Sequence, residues 1–303
     1  MRHPYSTIAI IYNPKSTGDS KQMAYGLRKI LRRDEGITMP VDCIPTKYAG
    51  HAEVLAEKLA SKHERPLIIS SSGDGGYNEV VNGIMNAINK KQARHPIAAV
   101  LPAGNANDHS RTLQDDPLHK AILSGRVTKI DLLRVDITSE DTAAQAGLTR
   151  YAHSYAGVGI TPVVAAELNR HTLNAFNQLG FVIKTFWKYR PFKILRRGRT
   201  VRLDSLLFMN INQMAKIFKL APDLTPDDGQ FDVVHLPHKH KFQLLKMIIT
   251  AATIGLSTTT QQTEYEFTAL KKMPMQLDGE LVIIKGGSHV RITSAHKALT
   301  TII

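Results

Sequence analysis

Short apolar runs alternate with amphipathic stretches in the first third of the chain. Four of these runs have the composition of buried strands: Thr7–Tyr12, Val41–Pro45, Pro66–Ser70 and Ile97–Leu101. The spacing of apolar residues between them predicts three helices, which follow the first strand to about Arg33 and then cover Ala52–Lys62 and Tyr77–Asn89. Strands that alternate with helices indicate crossover connections and therefore a parallel α/β sheet.

The pattern changes after about Asp131, where strand candidates follow one another closely. The candidates are Lys129–Ile137, Arg150–Ala156, Thr200–Asn212, Phe231–Leu236, Tyr265–Leu270, Gln276–Lys285 and His289–Thr293. Two helix-like stretches, Thr161–Tyr189 and Lys241–Gly255, interrupt them, and Ser139–Gly147 is typical of a mobile hairpin tip. Strands in such close succession predict an antiparallel sheet or sandwich.

The charge composition favours anionic binding partners but does not identify which one. The chain has 303 residues, enough for two domains, and carries 39 Lys and Arg against 26 Asp and Glu. This excess of positive charge favours nucleic acid, nucleotides or an anionic membrane surface. The only cysteine, Cys43, excludes an internal disulfide and a Cys-rich metal site. The longest apolar stretch, Leu244–Leu256, is broken by Lys246 and too short to cross a bilayer. We therefore expect a cytoplasmic protein whose membrane contact is at most peripheral.

The segment Ser72–Glu79 carries the first chemical signal. It follows an apolar strand, contains Gly73, Gly75 and Gly76, and opens a predicted helix. Glycines let the backbone approach a phosphate closely, and the N-terminus of a helix offers unpaired N–H groups to an anion. A carboxylate at Asp74 is unusual in a phosphate loop unless a cation is present, which suggests a Mg²⁺-nucleotide. The alternative is a plain glycine-rich turn, because short glycine motifs match by chance often.

A second polar loop, Leu101–Arg111, follows the next strand and contains Gly104, Asn105 and Asn107. Taken alone, the segment is better explained by Asn107 and Asp108 as capping residues of the next helix. Two such loops on successive strands, with one helix between them, favour a ligand site, because ligands of open α/β sheets bind at the carboxyl ends of the strands.

Acidic residues cluster at two places in the second half of the chain. Four carboxylates fall between Asp223 and Asp232, a density of hard oxygen ligands that suits Mg²⁺ or Ca²⁺. The alternative is an exposed acidic turn before a strand. Further on, Asp278-Gly279 is typical of a hairpin turn, and a carboxylate at Asp278 or Glu280 could also take a proton from a hydroxyl group.

These segments together resemble the diacylglycerol kinase catalytic-domain family, which includes soluble bacterial diacylglycerol kinases and the sphingosine and ceramide kinases. Each motif is weak alone, but the set occurs in the family's order and spacing across nearly the whole chain. The matching segments are Asn13–Ser16, Thr46 with Gly50–Ala52, Gly73–Gly75 with Asn78-Glu79, Leu101-Pro102, Gly104, Asn107-Asp108, Ala221-Pro222, Asp227–Gly229, Phe231–Val233 and Asp278–Glu280.

The resemblance implies the architecture. It implies an N-terminal α/β nucleotide domain, related to phosphofructokinase and NAD kinase, over residues 1–130. It implies a C-terminal antiparallel β-sandwich that accepts the lipid, over residues 131–292, with the site in the cleft between the domains. The last segment, residues 293–303, is expected to return to the first domain.

The resemblance also implies roles for individual residues. It implies contacts with ATP from residues of four loops: Asn13, Pro14, Lys15, Ser16, Thr17, Thr46, Ser72, Gly73, Asp74, Gly75, Gly76, Tyr77, Asn78 and Asn105. It implies a structural Mg²⁺ held by Asp228 and by the backbone carbonyls of Thr225 and Gln230. Asp74, Asp278 and Glu280 are the expected catalytic residues. Glu280 is favoured over Asp278 as the base that removes the proton of the lipid hydroxyl.

Three residues depart from the family pattern. Ser72 replaces the usual first glycine of the phosphate loop, Gly76 replaces the threonine after Gly75, and Asn105 replaces the threonine after Gly104. Two hydroxyl groups that normally meet the nucleotide are therefore absent, which bears on nucleotide choice and on activity itself. The segment Gln213–Lys216 also replaces a run of small residues, which could reshape the acceptor pocket.

The partners remain open at this stage. Phe176–Trp187 is apolar and aromatic, and a cluster of basic residues follows it: Arg190, Lys193, Arg196, Arg197, Arg199 and Arg202. This combination suits docking on an anionic membrane that presents the lipid acceptor, or equally a core helix followed by a charged edge strand. No nucleic-acid motif is present, and a homodimer is a family-level expectation. Diacylglycerol is the favoured acceptor; the alternatives are a sphingoid base or other lipid, a soluble metabolite as in NAD kinases, and a regulator that binds nucleotide without turnover.

Overall fold

The computed structural model describes residues 4–16, 18–105, 107–114, 116–139, 147–159, 190–214, 218–219, 224–238, 243 and 259–302. The predicted helix Thr161–Tyr189, almost all of Lys241–Gly255 and all but the ends of the predicted hairpin tip Ser139–Gly147 lie outside these residues. Within the described ranges, no helix combines the length and the low polarity that crossing a bilayer requires.

The chain divides into two compact units. The first unit consists of residues 1–132 and 296–303, and the second unit consists of residues 133–295. Two long strands run from one unit into the other: β5 (Val127–Thr138) and β17 (His289–Ile302). The sequence-based boundaries, after residues 130 and 292, lie close to these crossings.

The first unit is a parallel sheet with helices between its strands. Its elements are β1 (Thr7–Tyr12), α1 (Ser20–Leu31), β2 (Val41–Pro45), α2 (His51–Lys62), β3 (Pro66–Ser72), α3 (Asp74–Asn89), β4 (Ile97–Pro102), α4 (Asp108–Leu113) and α5 (Leu118–Ser124). The strand order is β4-β3-β1-β2, with Thr301 of β17 paired in parallel to Ala98 of β4. Every residue of β1 is buried, as expected for a parallel strand that is covered on both faces.

The second unit is antiparallel throughout its paired strands. Its further elements are β6 (Leu148–Ala152), β7 (Tyr155–Gly159), β8 (Phe192–Arg196), β9 (Arg199–Met209), β10 (Gln213–Met214), β11 (Phe218–Lys219), β12 (Phe231–Pro237), β13 (Thr259–Gln262), β14 (Glu264–Ala269), β15 (Met273–Leu277) and β16 (Glu280–Ile284). In β14, buried Tyr265 and Phe267 alternate with exposed Glu264 and Glu266, the pattern of a strand with one face in the core. Phe208 of β9 packs edge-on against Tyr265, with ring centres 5.1 Å apart.

The predicted fold class, parallel N-terminal strands followed by antiparallel C-terminal strands, is confirmed. Several element bounds were wrong. The strand predicted over Arg150–Ala156 is two strands separated at His153 and Ser154, two buried polar residues that interrupt an apolar run. The hairpin turn predicted at Asp278-Gly279 is confirmed, and it divides the segment Gln276–Lys285 between β15 and β16. Sequence reasoning also missed β8, β13 and α5, whereas α4 begins at Asp108, where the helix-capping alternative placed a helix.

Candidate functional site

Three loops of the first unit leave the sheet side by side. They follow β1, β3 and β4, which are adjacent and parallel in the sheet, so the loops share its carboxyl edge. These loops and the adjoining residues include those that the resemblance implies contact ATP: Asn13–Thr17, Ser72–Asn78 and Asn105. This edge is where ligands bind in open α/β sheets.

Glycines hold the second and third loops in direct backbone contact. A Cβ atom at Gly104 would lie 2.3 Å from the Cα of Gly73 and 2.9 Å from its nitrogen, so no side chain fits between them. The first loop joins the same cluster, because a Cβ at Gly18 would lie 2.4 Å from the carbonyl oxygen of Ala103. The three loops therefore pack backbone against backbone at this edge of the sheet.

Asp74 ties the second loop to the third. It is the first residue of α3, and its carboxylate accepts hydrogen bonds from the backbone N–H groups of Asp108 (3.1 Å) and His109 (3.2 Å) at the start of α4. A carboxylate in this position satisfies two donors that the helix leaves unpaired and opposes the positive end of its dipole. Asp74 is thus a capping residue of α4, whatever it does in addition at a bound nucleotide.

The exchange of Ser72 and Gly76 relative to the family pattern has a steric explanation. A Cβ at Gly76 would lie 2.6 Å from the Oγ of Ser72 and 2.7 Å from its Cβ. The Ser72 side chain therefore fills the space that a side chain at position 76 would need. Its hydroxyl is half-buried, lies 2.7 Å from the Oγ of Ser70, and donates to the carbonyl of Gly73 at 2.9 Å. One hydroxyl group thus remains at this turn, on residue 72 instead of residue 76.

The first loop forms its own tight turns beside a cavity. Asn13 Oδ1 accepts the N–H of Lys15 at 2.9 Å, and Ser16 Oγ accepts the N–H of Gly18 at 3.3 Å; Thr17 lies outside the described residues. A cavity of about 380 Å³ lies between this loop and the first turns of α1. Its lining residues are Asn13, Pro14, Ser16, Gly18, Asp19, Lys21, Gln22 and Tyr25. Its volume is in the range of small-molecule sites.

The remaining predicted contacts divide into accessible and buried residues. Thr46 is half-buried beyond β2, where its N–H donates to the carbonyl of Tyr12 at 2.8 Å, and Asn105 is exposed in the third loop. Tyr77 and Asn78 are buried, and the Tyr77 ring packs 4.9 Å from the His109 ring. Their side chains belong to the core, and the Tyr77 N–H donates to the carbonyl of Gly73 at 3.1 Å, so the structure does not support direct contact of Tyr77 with a nucleotide.

The two acidic residues of the second unit have opposite surroundings. Asp278 is fully buried, and its carboxylate accepts three backbone N–H groups, from His153 (2.7 Å), Ser154 (2.9 Å) and Tyr155 (2.9 Å). Glu280, the first residue of β16, is exposed. A carboxylate must reach a substrate hydroxyl to take its proton. Of these two carboxylates, the exposed Glu280 is the one that a substrate hydroxyl can reach, in line with the sequence-based preference for Glu280. The Asp278 carboxylate instead fixes the backbone of residues 153–155.

Comparison with known proteins agrees with this geometry. The diacylglycerol kinase catalytic domain family matches residues 7–135, which include all three loops. Proteins named diacylglycerol kinase from Staphylococcus aureus and Bacillus subtilis are each 28% identical over 289 residues, covering 89% of this chain and 85% and 88% of theirs. Over residues 7–135, less than half of its length, the chain is similar to the diacylglycerol kinase catalytic domain family.

Solved structures extend the likeness to the whole fold. A crystal structure of a diacylglycerol kinase from Bacillus anthracis superimposes with a TM-score of 0.71 at 19% identity, covering 100% of this chain and 98% of that one. A second structure from the same organism gives 0.71 at 20% identity. At this level of identity the superposition establishes a common fold for the two diacylglycerol kinase structures and this chain.

The family resemblance implies a structural Mg²⁺ site at the turn that contains Asp228. Asp228 is exposed, and its Oδ1 accepts the N–H of Gln230 at 2.8 Å, which leaves Oδ2 for a cation. Among the described residues, no cluster of three or more His, Cys, Asp or Glu side chains could hold a metal. One carboxylate oxygen with backbone carbonyls fits Mg²⁺, which usually retains several water ligands. The residues present are therefore compatible with the ion.

Sequence reasoning missed two features of the described structure. Asp131 is fully buried in β5, where its carboxylate accepts the N–H of Lys297 at 2.6 Å and lies 2.9 Å from the His296 Nδ1. No local pattern identifies it, because its partners are far away in sequence. Lys21 and Tyr25 line the cavity beside the first loop; their four-residue spacing on α1 was a signal that could have placed them together.

Proposed function

We propose that this protein is a lipid kinase that transfers the γ-phosphate of ATP to a lipid hydroxyl group, with diacylglycerol as the acceptor and phosphatidic acid as the product. The observation that carries the proposal is the backbone contact between Gly73 and Gly104, which assembles the phosphate loops. The relatives named diacylglycerol kinase support the lipid as acceptor.

The phosphate groups of ATP would bind at the N-terminus of α3. Its N-cap residue, Gly73, provides no side chain to occupy the first N–H groups of the helix, so they can donate to an anion. Ser72 adds a hydroxyl group beside them, and Lys15 and Lys21 add positive charge on the first loop and the start of α1. Bound Mg²⁺ would supply further neutralisation of the charge on the transferred phosphoryl group.

Glu280 would act on the acceptor. Its exposed carboxylate accepts the proton of the lipid hydroxyl as the oxygen attacks the γ-phosphorus, and ADP leaves with the bridging oxygen. Asp228 and the carbonyls of Thr225 and Gln230 would hold the structural Mg²⁺. No step of the transfer requires that second ion.

The basic hairpin β8–β9 would bring the kinase to its acceptor. Lys193, Arg197, Arg199 and Arg202 are exposed along it, as expected for contact with an anionic leaflet, whereas Arg196 stacks 4.0 Å above the Tyr265 ring. Sedimentation with vesicles that contain increasing fractions of anionic lipid tests this contact. Binding that does not rise with anionic lipid, or that survives replacement of these four residues by serine, would contradict it.

A labelled-ATP assay tests the function itself. The wild-type protein, Asp74→Ala and Glu280→Ala are incubated with Mg²⁺ and a panel of diacylglycerol, sphingosine, ceramide and NAD. We expect label in phosphatidic acid, a loss of roughly 100- to 10,000-fold in Glu280→Ala, and unchanged nucleotide affinity in that variant. Label in NADP would favour a metabolite kinase instead. Nucleotide binding without label in any acceptor would favour a regulator.

A further inference from the structure

A cluster of buried polar side chains lies next to the acidic turn of the second unit. His153, Ser154 and Asp278 are fully buried, and Asn210 is 1% exposed. Burying polar groups is unfavourable unless they are hydrogen-bonded to one another, so a cluster of this kind is retained only where it fixes a particular backbone arrangement. The first three residues connect the β6–β7 turn to the β15–β16 hairpin.

Asp278 forms the centre of the cluster. Its Oδ2 accepts the N–H of His153 at 2.7 Å and lies 3.4 Å from the His153 Nε2, and its Oδ1 accepts the N–H groups of Ser154 and Tyr155, both at 2.9 Å. Its own N–H donates to the carbonyl of Tyr155 at 3.1 Å. The carboxylate therefore closes the turn at residues 153–155 and fixes the hairpin against it.

Ser154 and Asn210 make further hydrogen bonds to the turn at residues 153–155. The His153 Nδ1 lies 2.8 Å from the Ser154 Oγ. The Asn210 side-chain amide donates to the His153 carbonyl at 3.2 Å, and the Asn210 N–H donates to the Ser154 carbonyl at 2.8 Å. Neither half of the turn can shift without breaking hydrogen bonds that have no access to water.

The hairpin carries Glu280 directly after this anchor. Asp278 and Gly279 have φ values of 49° and 102°, the left-handed conformation of a two-residue hairpin turn, and Glu280 pairs with Leu277. With Asp278 held by three N–H groups, the backbone position of Glu280 follows from it, while the Glu280 side chain stays exposed. Asp278 itself cannot reach a substrate hydroxyl from its buried position.

The geometry points to Asp278 and His153 as positioning residues that hold Glu280 for proton transfer, rather than as a base and a core residue. This inference rests on the proposed function. A base must stand within hydrogen-bond reach of the hydroxyl, and a displacement of about 1 Å can cost roughly 100-fold in rate. The buried anchor supplies that constraint without contacting substrate.

Four variants test the inference: Glu280→Gln, Asp278→Asn, His153→Phe and His153→Gln. The turnover number, the KM for ATP and the pH–rate profile are measured with diacylglycerol, and amide hydrogen exchange is followed at residues 153–155 and 278–282. Asp278→Asn turns one acceptor into a donor that faces the His153 N–H. We expect its turnover number to fall about 10- to 100-fold with KM for ATP unchanged, and its hairpin amides to exchange faster.

The pH–rate profile distinguishes a residue that takes the proton, as proposed for Glu280, from a residue that positions it, as proposed for Asp278. In Asp278→Asn the loss of rate at low pH persists, because Glu280 still titrates, whereas Glu280→Gln abolishes it without speeding amide exchange. His153→Phe should behave as a weaker Asp278→Asn. His153→Gln, whose amide can reach the position of Nε2, should recover most of that loss.

Two results would overturn the inference. One is loss of the acidic limb in Asp278→Asn, which would make Asp278 the base. The other is unchanged turnover and unchanged amide exchange in both Asp278→Asn and His153→Phe. If the wild-type protein transfers no phosphate to any lipid, the proposed function fails, and the exchange data then decide separately whether the cluster anchors the hairpin.

Discussion

The two units hold their functional turns by different physical means. In the first unit, glycine backbones touch where side chains would clash, at Gly73 with Gly104 and at Gly18 with Ala103. In the second unit, the turn before Glu280 is held by a buried carboxylate that accepts three N–H groups. The first arrangement depends on the absence of side chains, and the second depends on three N–H groups that donate to one carboxylate.

This difference explains which carboxylates remain for chemistry. Asp74 and Glu79 belong to the glycine-loop motif, yet both accept backbone N–H groups at helix starts, Asp74 at α4 and Glu79 from Gly50 and Ala52 at α2. Asp278 is engaged in the same way. Glu280 is the exposed acidic residue of the hairpin motif. Acidic residues in these motifs serve mainly to organise the backbone, and the carboxylate that we propose as the proton acceptor is the exposed one.

The largest effect is expected from a side chain placed between the glycine loops. Gly104→Ala puts a Cβ within 2.3 Å of the Gly73 Cα, where neither backbone can yield easily. We expect a loss of about 1–3 kcal/mol in the free energy of unfolding and a greatly weakened affinity for nucleotide, because the loops separate. Urea unfolding followed by circular dichroism and nucleotide titration measure the two effects.

Gly26→Ala is the matched control for that substitution. Gly26 lies within α1, and a Cβ there meets nothing within 4 Å. We expect this variant to be more stable than wild type by about 0.5–1 kcal/mol, because alanine favours a helix over glycine. Equal destabilisation of both variants would show that backbone contact at Gly104 is unimportant.

A smaller effect is expected at Gly76, where a new side chain would meet a side chain instead of backbone. Gly76→Thr places its Cβ against the Ser72 side chain, and Ser72→Gly removes the hydroxyl that remains at the turn. Each single variant should bind ATP about tenfold more weakly, since a hydrogen bond to a charged group is lost or displaced. The double variant Ser72→Gly/Gly76→Thr should recover most of the affinity. Losses that simply add in the double variant would show that the two positions are independent.

The smallest effect is expected in the second unit, where His235 makes the free energy of unfolding depend on pH. His235 of β12 lies 2.9 Å from the Tyr265 hydroxyl, and burial, with a smaller contribution from Arg196, lowers its pKa below the ordinary value of 6.5. A lowered folded-state pKa means that the unfolded chain binds the proton more readily. The stabilisation is therefore complete above about pH 6.5 and is lost as the pH falls toward the folded-state pKa.

Urea unfolding followed by circular dichroism at pH 7.5 and 5.5 measures this effect. His235→Gln should lessen the decrease in stability between the two pH values. An unchanged decrease would assign the pH dependence to other groups.

The strands were predictable from the sequence where one physical effect dominates. A strand that is covered on both faces is apolar throughout, as around Ile8 and Ile68. A strand that is covered on one face alternates, as Tyr265 and Phe267 alternate with glutamates. Both patterns are visible in the sequence. The break at His153 and Ser154 was not predictable, because the hydrogen bonds that form it come from Asp278, more than 120 residues away.

The candidate site was predictable as a set of loops but not as a set of contacts. The order of the glycine and asparagine segments placed the loops at one sheet edge, because adjacent parallel strands end together. The role of Asp74 at the start of α4, the burial of Tyr77 and the filling of the space above Gly76 by Ser72 depend on tertiary geometry. The spacing of residues along the sequence does not predict these contacts.

Amide hydrogen exchange with and without ATP and Mg²⁺ tests the central claim, that the three glycine-linked loops of the first unit bind the nucleotide. The account predicts slower exchange at residues 13–19, 73–78 and 103–108 when the nucleotide is bound, with the same protection in Glu280→Gln. Protection confined to other segments, such as the cavity residues Ile30, Gln114 and His119 between α1 and α5, or no protection at all, would contradict it.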